Sequence, residues 1–241
     1  PPIAPRYHWC SWYERGPYLT LAELKATVEG LDTLSPRVPL QAMQIDDGYE
    51  TSAGDWLIPN EKWPGGMSAA FKLIAQHGYV PGIWVAPFMV GRRSVVFRDH
   101  PDWVIHDLEG RPRPEWRRYD GTANDEEVYA LDASHPEARD YIGGVFRTMR
   151  QWGARFFKTD FLDWGFRDTA CVRRHNLDET SVQSFRKMME IIRTAIGDDS
   201  IWLACIAPYA PMISYADSMR IANDVGSAWS EGGAGNMLAE S

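Results

Sequence analysis

Residues 155–160 read Arg155-Phe156-Phe157-Lys158-Thr159-Asp160, a short aromatic and β-branched run that opens and closes on charge. Its length and its polar bounds mark a strand. Before it, helical spacing runs from about Pro136 to Trp152 and stops at Gly153. After it, a second helical stretch runs from about Ser181 to Ile196 and stops at Gly197. Glycine takes the left-handed turn that ends a helix at low cost. Helix, strand, helix is the repeat of a parallel sheet, because parallel neighbours need a long crossover.

Working outward, the same unit recurs about every 35 to 50 residues, the size of a βα pair. Towards the N-terminus come Val80–Pro87, then Leu40–Asp47 followed by a helix from about Ser68 to His77 that stops at Gly78. Tyr7–Tyr13 comes first, with a helix from about Thr20 to Gly30, where Thr20 and Glu23 are spaced as a capping box. Towards the C-terminus come Ile201–Cys205 and Ser218–Asp224. Residues between Pro87 and Pro136 read as a long polar insertion, with a basic, proline-broken stretch from Arg111 to Arg118. A doubly wound open sheet and a singly wound barrel both fit this rhythm. A dinucleotide-binding sheet carries G-x-G-x-x-G after its first strand, and no such motif follows Trp12 or any later run. The predicted fold is therefore α/β, a TIM (β/α)8-type barrel. Only the first six βα units are expected, so residues 1–241 read as a single, partial barrel domain.

Composition narrows the function classes. The chain has 241 residues, 25 basic and 33 acidic groups, a net charge of -8 and 44% hydrophobic residues. An acidic balance with no Lys/Arg block argues against nucleic acid, and no apolar stretch approaches the roughly 18 residues of a membrane span. No basic-then-apolar leader opens the chain, so the expectation is a cytoplasmic protein whose N-terminus is truncated. The three cysteines, Cys10, Cys171 and Cys205, are far apart and suggest neither a disulfide framework nor a metal site, and the six histidines lack HxH or HExxH spacing. The 11 tryptophans are unusual; their flat rings suit sugar faces, although buried core is an equal explanation.

In a barrel, charged residues at the C-terminal ends of strands read as chemistry rather than stability. Asp160 and Asp224 are expected at the ends of alternate strands four and six, from which they could converge on one bond, as glycoside hydrolysis requires. The plain alternative is that each caps the helix after its strand. Lys158 lies two residues before Asp160, on the same strand face, where a cation keeps a carboxylate ionised. Arg220, four residues before Asp224, is placed to orient that carboxylate or a substrate hydroxyl, with structural ion pairing as the alternative. Asp46 and Asp47 are adjacent like charges, useful together only if the strand has ended and a loop turns both inward; Gly48 permits that turn.

His8-Trp9-Cys10-Ser11-Trp12-Tyr13, Gln44-Ile45-Asp46-Asp47-Gly48-Tyr49-Glu50, Gly54-Asp55-Trp56-Leu57, Pro81-Gly82-Ile83-Trp84-Val85-Ala86-Pro87-Phe88, His100-Pro101-Asp102-Trp103-Val104, Phe156 to Leu162 and Met219 to Val225 resemble, in that order, the alpha-galactosidases of glycoside hydrolase family 36. The resemblance spans essentially the whole chain. It implies a retaining enzyme with Asp160 as nucleophile and Asp224 as general acid/base. It also implies Asp46 and Asp47 on the O4 and O6 hydroxyls of galactose, Lys158 and Arg220 on further hydroxyls, Trp84 as an aromatic wall and Cys205 beside the sugar. No metal or cofactor is implied. The sequence departs from the family at Ala204-Cys205-Ile206-Ala207-Pro208, where relatives carry Gly-Cys-Gly-Ser-Pro; Ile206 puts a branched side chain at the pocket. It also departs in length: the seventh and eighth βα units and the flanking β domains usual in the family are not expected within residues 1–241.

Hydrolysis of terminal alpha-galactosides is the leading expectation, with transglycosylation by the same two aspartates as a variant. A catalytically silent galactose-binding fragment is the competing class. A Schiff-base aldolase or isomerase built on Lys158 is disfavoured, because a neighbouring Asp160 would keep the amine protonated. The expected partner is an alpha-galactoside. Completion by a longer chain or by a second copy is expected to cover the open barrel edges.

Overall fold

The computed structural model describes residues 7–34, 37, 39–118 and 126–224. Val225 and the Glu231–Ser241 tail, on which the sequence reading placed the motif end and the missing units, lie outside the described residues.

Nine strands are described: β1 His8–Cys10, β2 Ala42–Ile45, β3 Val80–Val85, β4 Met89–Gly91, β5 Pro114–Arg118, β6 Glu126–Ala130, β7 Phe156–Thr159, β8 Ile201–Ala204 and β9 Ser218–Met219. Six of them form one curled sheet in the order β1-β2-β3-β7-β8-β9, every ladder parallel. This is the partial barrel the sequence predicts. Every residue of β2 and β7 is buried, as befits strands covered on both faces. The outer layer includes helices Leu21–Leu34, Gly66–Gln76, Pro136–Trp152 and Ser181–Ile196.

The helices begin and end where local chemistry dictates. Thr20 Oγ1 accepts from Glu23 N at 3.2 Å while the Glu23 carboxylate accepts from Thr20 N at 2.9 Å, the reciprocal box foreseen from sequence. Thr180 and Gln183 form a second box, and Gly153 ends Pro136–Trp152 at φ 118°. The last two helices approach closely at Gly143, where any Cβ would come within 2.8 Å of Ile191. Phe146 packs on Phe157 at 5.8 Å between ring centroids, holding a helix against β7.

Three expectations change. Run one is a strand only over His8–Cys10 and then becomes the one-turn helix Trp12–Arg15; β1 is an edge strand with β2 as its only ladder partner among the described residues. Run six is a ladder only over Ser218–Met219, at the other edge. The polar insertion is in fact a second sheet, antiparallel, in the order β4-β6-β5. Its prolines hid it: Pro112 and Pro114 fall before and at the start of β5, an edge strand, where a missing N–H costs no ladder bond. No described helix is long and apolar enough to cross a membrane.

Candidate active site

One cavity of about 340 Å³ opens at the C-terminal ends of the parallel strands, and Asp46, Asp47, Trp84, Lys158, Asp160, Arg220 and Asp224 all line it. Seven of the residues singled out from sequence thus converge. Cys205 does not line it: the residue is fully buried, and burial, then the charge of Asp160, pushes its thiol up to about 12. Its backbone N–H donates to Thr159 O at 2.7 Å, which places it beside β7 and next to the site.

The floor is built across three strands. Register pairs Trp84 with Lys158, and Ile45 with Ile83, so Asp46, Trp84 and Lys158 stand at one level. Curvature lets Lys158 reach past β3 to Asp46, with Nζ 2.8 Å from Oδ2 and side chains only 5% and 3% exposed. Gln44 Nε2 donates to the same oxygen at 2.7 Å and Cys10 Sγ at 3.2 Å, while Asp47 N donates to Oδ1 at 3.0 Å. Burial is the largest single influence and would lower the Lys158 pKa, but the charge and hydrogen bond of Asp46, with Cys10 and Cys205, together outweigh it and the net shift is upward. This corrects the reading that Lys158 serves Asp160: its partner is Asp46. The same pairing holds the amine protonated, against Schiff-base chemistry.

Asp160 follows β7 and is buried. Trp84 Nε1 donates to its Oδ2 at 3.1 Å and Phe161 N to its Oδ1 at 2.9 Å, so each oxygen is oriented by one N–H. The helix-capping alternative does not hold here, because the 3-10 turn Leu162–Phe166 has no side-chain cap. Thr159, between Lys158 and Asp160, points the other way and accepts from Trp202 Nε1 at 2.7 Å. Gly48, at φ 103°, makes the turn that brings Asp47 to the cavity; a Cβ there would collide with the Pro17 backbone.

The rim is different. Asp224 pairs with Arg220 as the i,i+4 spacing suggested, at 2.5 Å, but the two side chains are 49% and 22% exposed. Tyr13, from the other edge of the sheet, donates to Asp224 at 3.4 Å and accepts from Arg220 at 3.4 Å. Burial would lower the Arg220 pKa, yet nearby Cys205 and Asp224 carry it upward. Arg220 Nε is a buried donor with no hydrogen-bond partner among the described residues.

Sequence reasoning missed the aromatic and apolar lining from outside the strand ends: Trp12, Tyr18, Met89, Trp116 and Phe161. The tryptophan excess was the available signal, but only the second sheet explains how Trp116 arrives. Ile206, flagged from sequence, lines the cavity at 43% exposure, with φ 43°, the left-handed region that β-branched residues avoid.

A carboxylate-lined cavity at the strand-end mouth of a curled parallel α/β sheet defines a barrel-type active site. The Melibiase family model matches residues 41–191. The chain belongs to that family. It is 31% identical over 163 residues to the A type blood alpha-D-galactosamine galactosaminidase of Flavonifractor plautii, covering 65% of this chain and 14% of that protein. It is 33% identical over 110 residues to alpha-galactosidase AgaA of Geobacillus stearothermophilus, covering 43% of this chain and 14% of AgaA. Among solved structures, TtGalA, an alpha-galactosidase from Thermus thermophilus in complex with stachyose, superposes at a TM-score of 0.79 with 31% identity, covering 93% of this chain and 45% of that one. The chain therefore spans less than half the length of these relatives.

Proposed function

We propose that the protein is a retaining glycoside hydrolase that removes terminal alpha-linked galactose from galactosides. The observation that carries the reading is the meeting, in one cavity, of a buried floor carboxylate, Asp160, and a rim carboxylate, Asp224, beside the Asp46–Lys158 pair. The alpha-galactosidase names of the relatives support the galactoside assignment.

In this mechanism an Asp160 oxygen attacks the anomeric carbon as the bond to the leaving oxygen breaks, and that oxygen takes the proton of Asp224. Asp224, now a carboxylate, accepts a proton from the water that displaces Asp160. One water is consumed and both aspartates return to their starting forms. The N–H donors of Trp84 and Phe161 hold the Asp160 carboxylate in place, which lowers the orientational cost of attack. Asp46, Asp47 and Lys158 take the hydroxyls far from the scissile bond, Trp84 walls the ring, and the unpartnered Nε of Arg220 is a donor near the anomeric end. Buried carboxylates lose partners when a hydroxyl is inverted, so an axial O4 is preferred over its epimer.

The test is turnover of an aryl alpha-galactoside by the protein and by Asp160→Asn. Turnover that vanishes in the variant is expected; unchanged turnover in Asp160→Asn would overturn the assignment. Galactose binding without any turnover by the unmutated protein would instead establish the silent-module reading.

A further inference from the structure

Exposure divides the cavity by depth. Trp84, Lys158 and Asp160 are buried, whereas Trp116 is 45% and Ile206 43% exposed. The terminal sugar, held by the buried groups, occupies the floor. The leaving group must then emerge where Asp224 stands, at the rim. Among the described residues Trp116 is the most exposed tryptophan, and it lines this cavity.

The ring is placed by construction. Pairing of β5 with β6 slips between Pro114 and Trp116, so that Pro114 faces Tyr129 while Trp116 faces Val128. Such a bulge re-aims the side chain that follows it. Trp116 then lies against Phe161, with ring centroids 6.1 Å apart and planes 29° apart. Phe161 is itself held at φ 51°, immediately after Asp160. Next to Trp116, Glu115 forms an ion pair with Arg167 at 2.8 Å, tying β5 to the 3-10 turn that follows Asp160. A left-handed phenylalanine, a bulge and a tether thus converge on one half-bare indole at the mouth.

We propose that Trp116 is the platform on which the leaving-group sugar stacks, and so determines the selectivity of the reaction for saccharide leaving groups. This rests on the function proposed above. A flat amphipathic ring matches the C–H face of a pyranose, and Asp224 and Arg220, which line the same cavity, supply polar partners for its hydroxyls. Residues of the floor do not contribute, so the effect falls on substrates according to what they lose, not on the galactose they share.

The experiment compares kcat and KM of the unmutated protein, Trp116→Ala and Trp116→Phe on melibiose, whose leaving group is glucose, and on alpha-galactosyl fluoride, whose leaving group is fluoride. Trp116→Ala should lose roughly tenfold in kcat/KM on melibiose, mostly through KM, and change less than about twofold on the fluoride. Trp116→Phe should recover part of the melibiose loss. Equal losses on both substrates, or no loss on melibiose, would overturn the proposal while leaving the hydrolase reading intact. Failure of the unmutated protein to cleave either substrate would sink both.

Discussion

Two ion pairs face the same cavity and differ in almost every physical respect. Lys158 and Asp46 come from strands 112 residues apart in sequence and meet in the floor at 2.8 Å, nearly sealed from water. Arg220 and Asp224 are four residues apart and meet on the rim with the aspartate half exposed. A buried pair is rigid and costly to break, because either partner left alone is an uncompensated charge in a low-dielectric site. A rim pair contributes little to stability, and water stays within reach of it. The floor thus behaves as fixed architecture, suited to gripping a sugar. The rim pair is open to water and is held by contacts within one short segment.

The largest expected effect breaks the floor. Lys158→Met strands the Asp46 charge and should cost about 3–5 kcal/mol of stability, read as a lower midpoint in urea denaturation, together with loss of sugar binding. If the variant keeps wild-type stability, the pair is not the structural element described here. Next is Asp224→Asn, which should leave the denaturation midpoint nearly unchanged but slow turnover of an unactivated galactoside by about 10²–10⁴. Its effect on alpha-galactosyl fluoride should be far smaller, since fluoride departs with less help from a proton. Equal slowing of both substrates would argue against Asp224 as the acid.

Acidity sharpens the contrast with a third cluster. Burial raises the Glu179 carboxyl, but bonds from Lys187, Arg139 and Ser184 outweigh it and hold the group at about 2. Its folded value lies below the unfolded carboxylate value of about 4.3, so its contribution is complete above that pH and is lost as pH falls towards 2. Lys158 runs the other way. Its raised folded pKa makes its contribution complete below the unfolded lysine value of about 10.4, and that contribution is lost only as pH rises through the folded pKa. Glu179→Gln should flatten the acid side of the stability profile and leave the alkaline side unchanged; Lys158→Met should flatten the alkaline side. The smallest effect is at Tyr13. Tyr13→Phe removes two long contacts to the rim pair and should change kcat less than about fivefold, a shift visible in the pH profile of turnover if the hydroxyl tunes Asp224.

Legibility in the sequence followed the range of each interaction. The helices Pro136–Trp152 and Ser181–Ile196 and the glycines that stop them depend on neighbours within a few residues, and their bounds match the expectation. The ends of β2, β3 and β7 were equally plain, so Asp46, Trp84 and Asp160 stand out by position, whereas β1 and β9 end earlier than their apolar runs. The partner of Lys158 was not: two-residue spacing pointed to Asp160, whereas sheet curvature delivered Asp46 from across β3. Trp116 was hidden for the same reason, since a bulge in a proline-rich edge strand leaves no periodic trace in the chain.

Among the described residues, the ladder that leads to Asp224 is only the two residues of β9, which pairs with β8 alone. Edge segments of that size open transiently at little cost, far below the free energy needed to unfold the strands beneath them. Each opening would carry away Arg220 and Asp224, the proton donor of the proposed mechanism, and leave Asp46, Lys158, Trp84 and Asp160 assembled. Amide exchange should therefore be fast at Met219 and Arg220 and slow at Lys158, and occupancy by sugar can persist through intervals when cleavage is impossible. Fraying at β9 would limit turnover in the proposed mechanism more than affinity, which would lose only the contacts of Arg220 and Asp224.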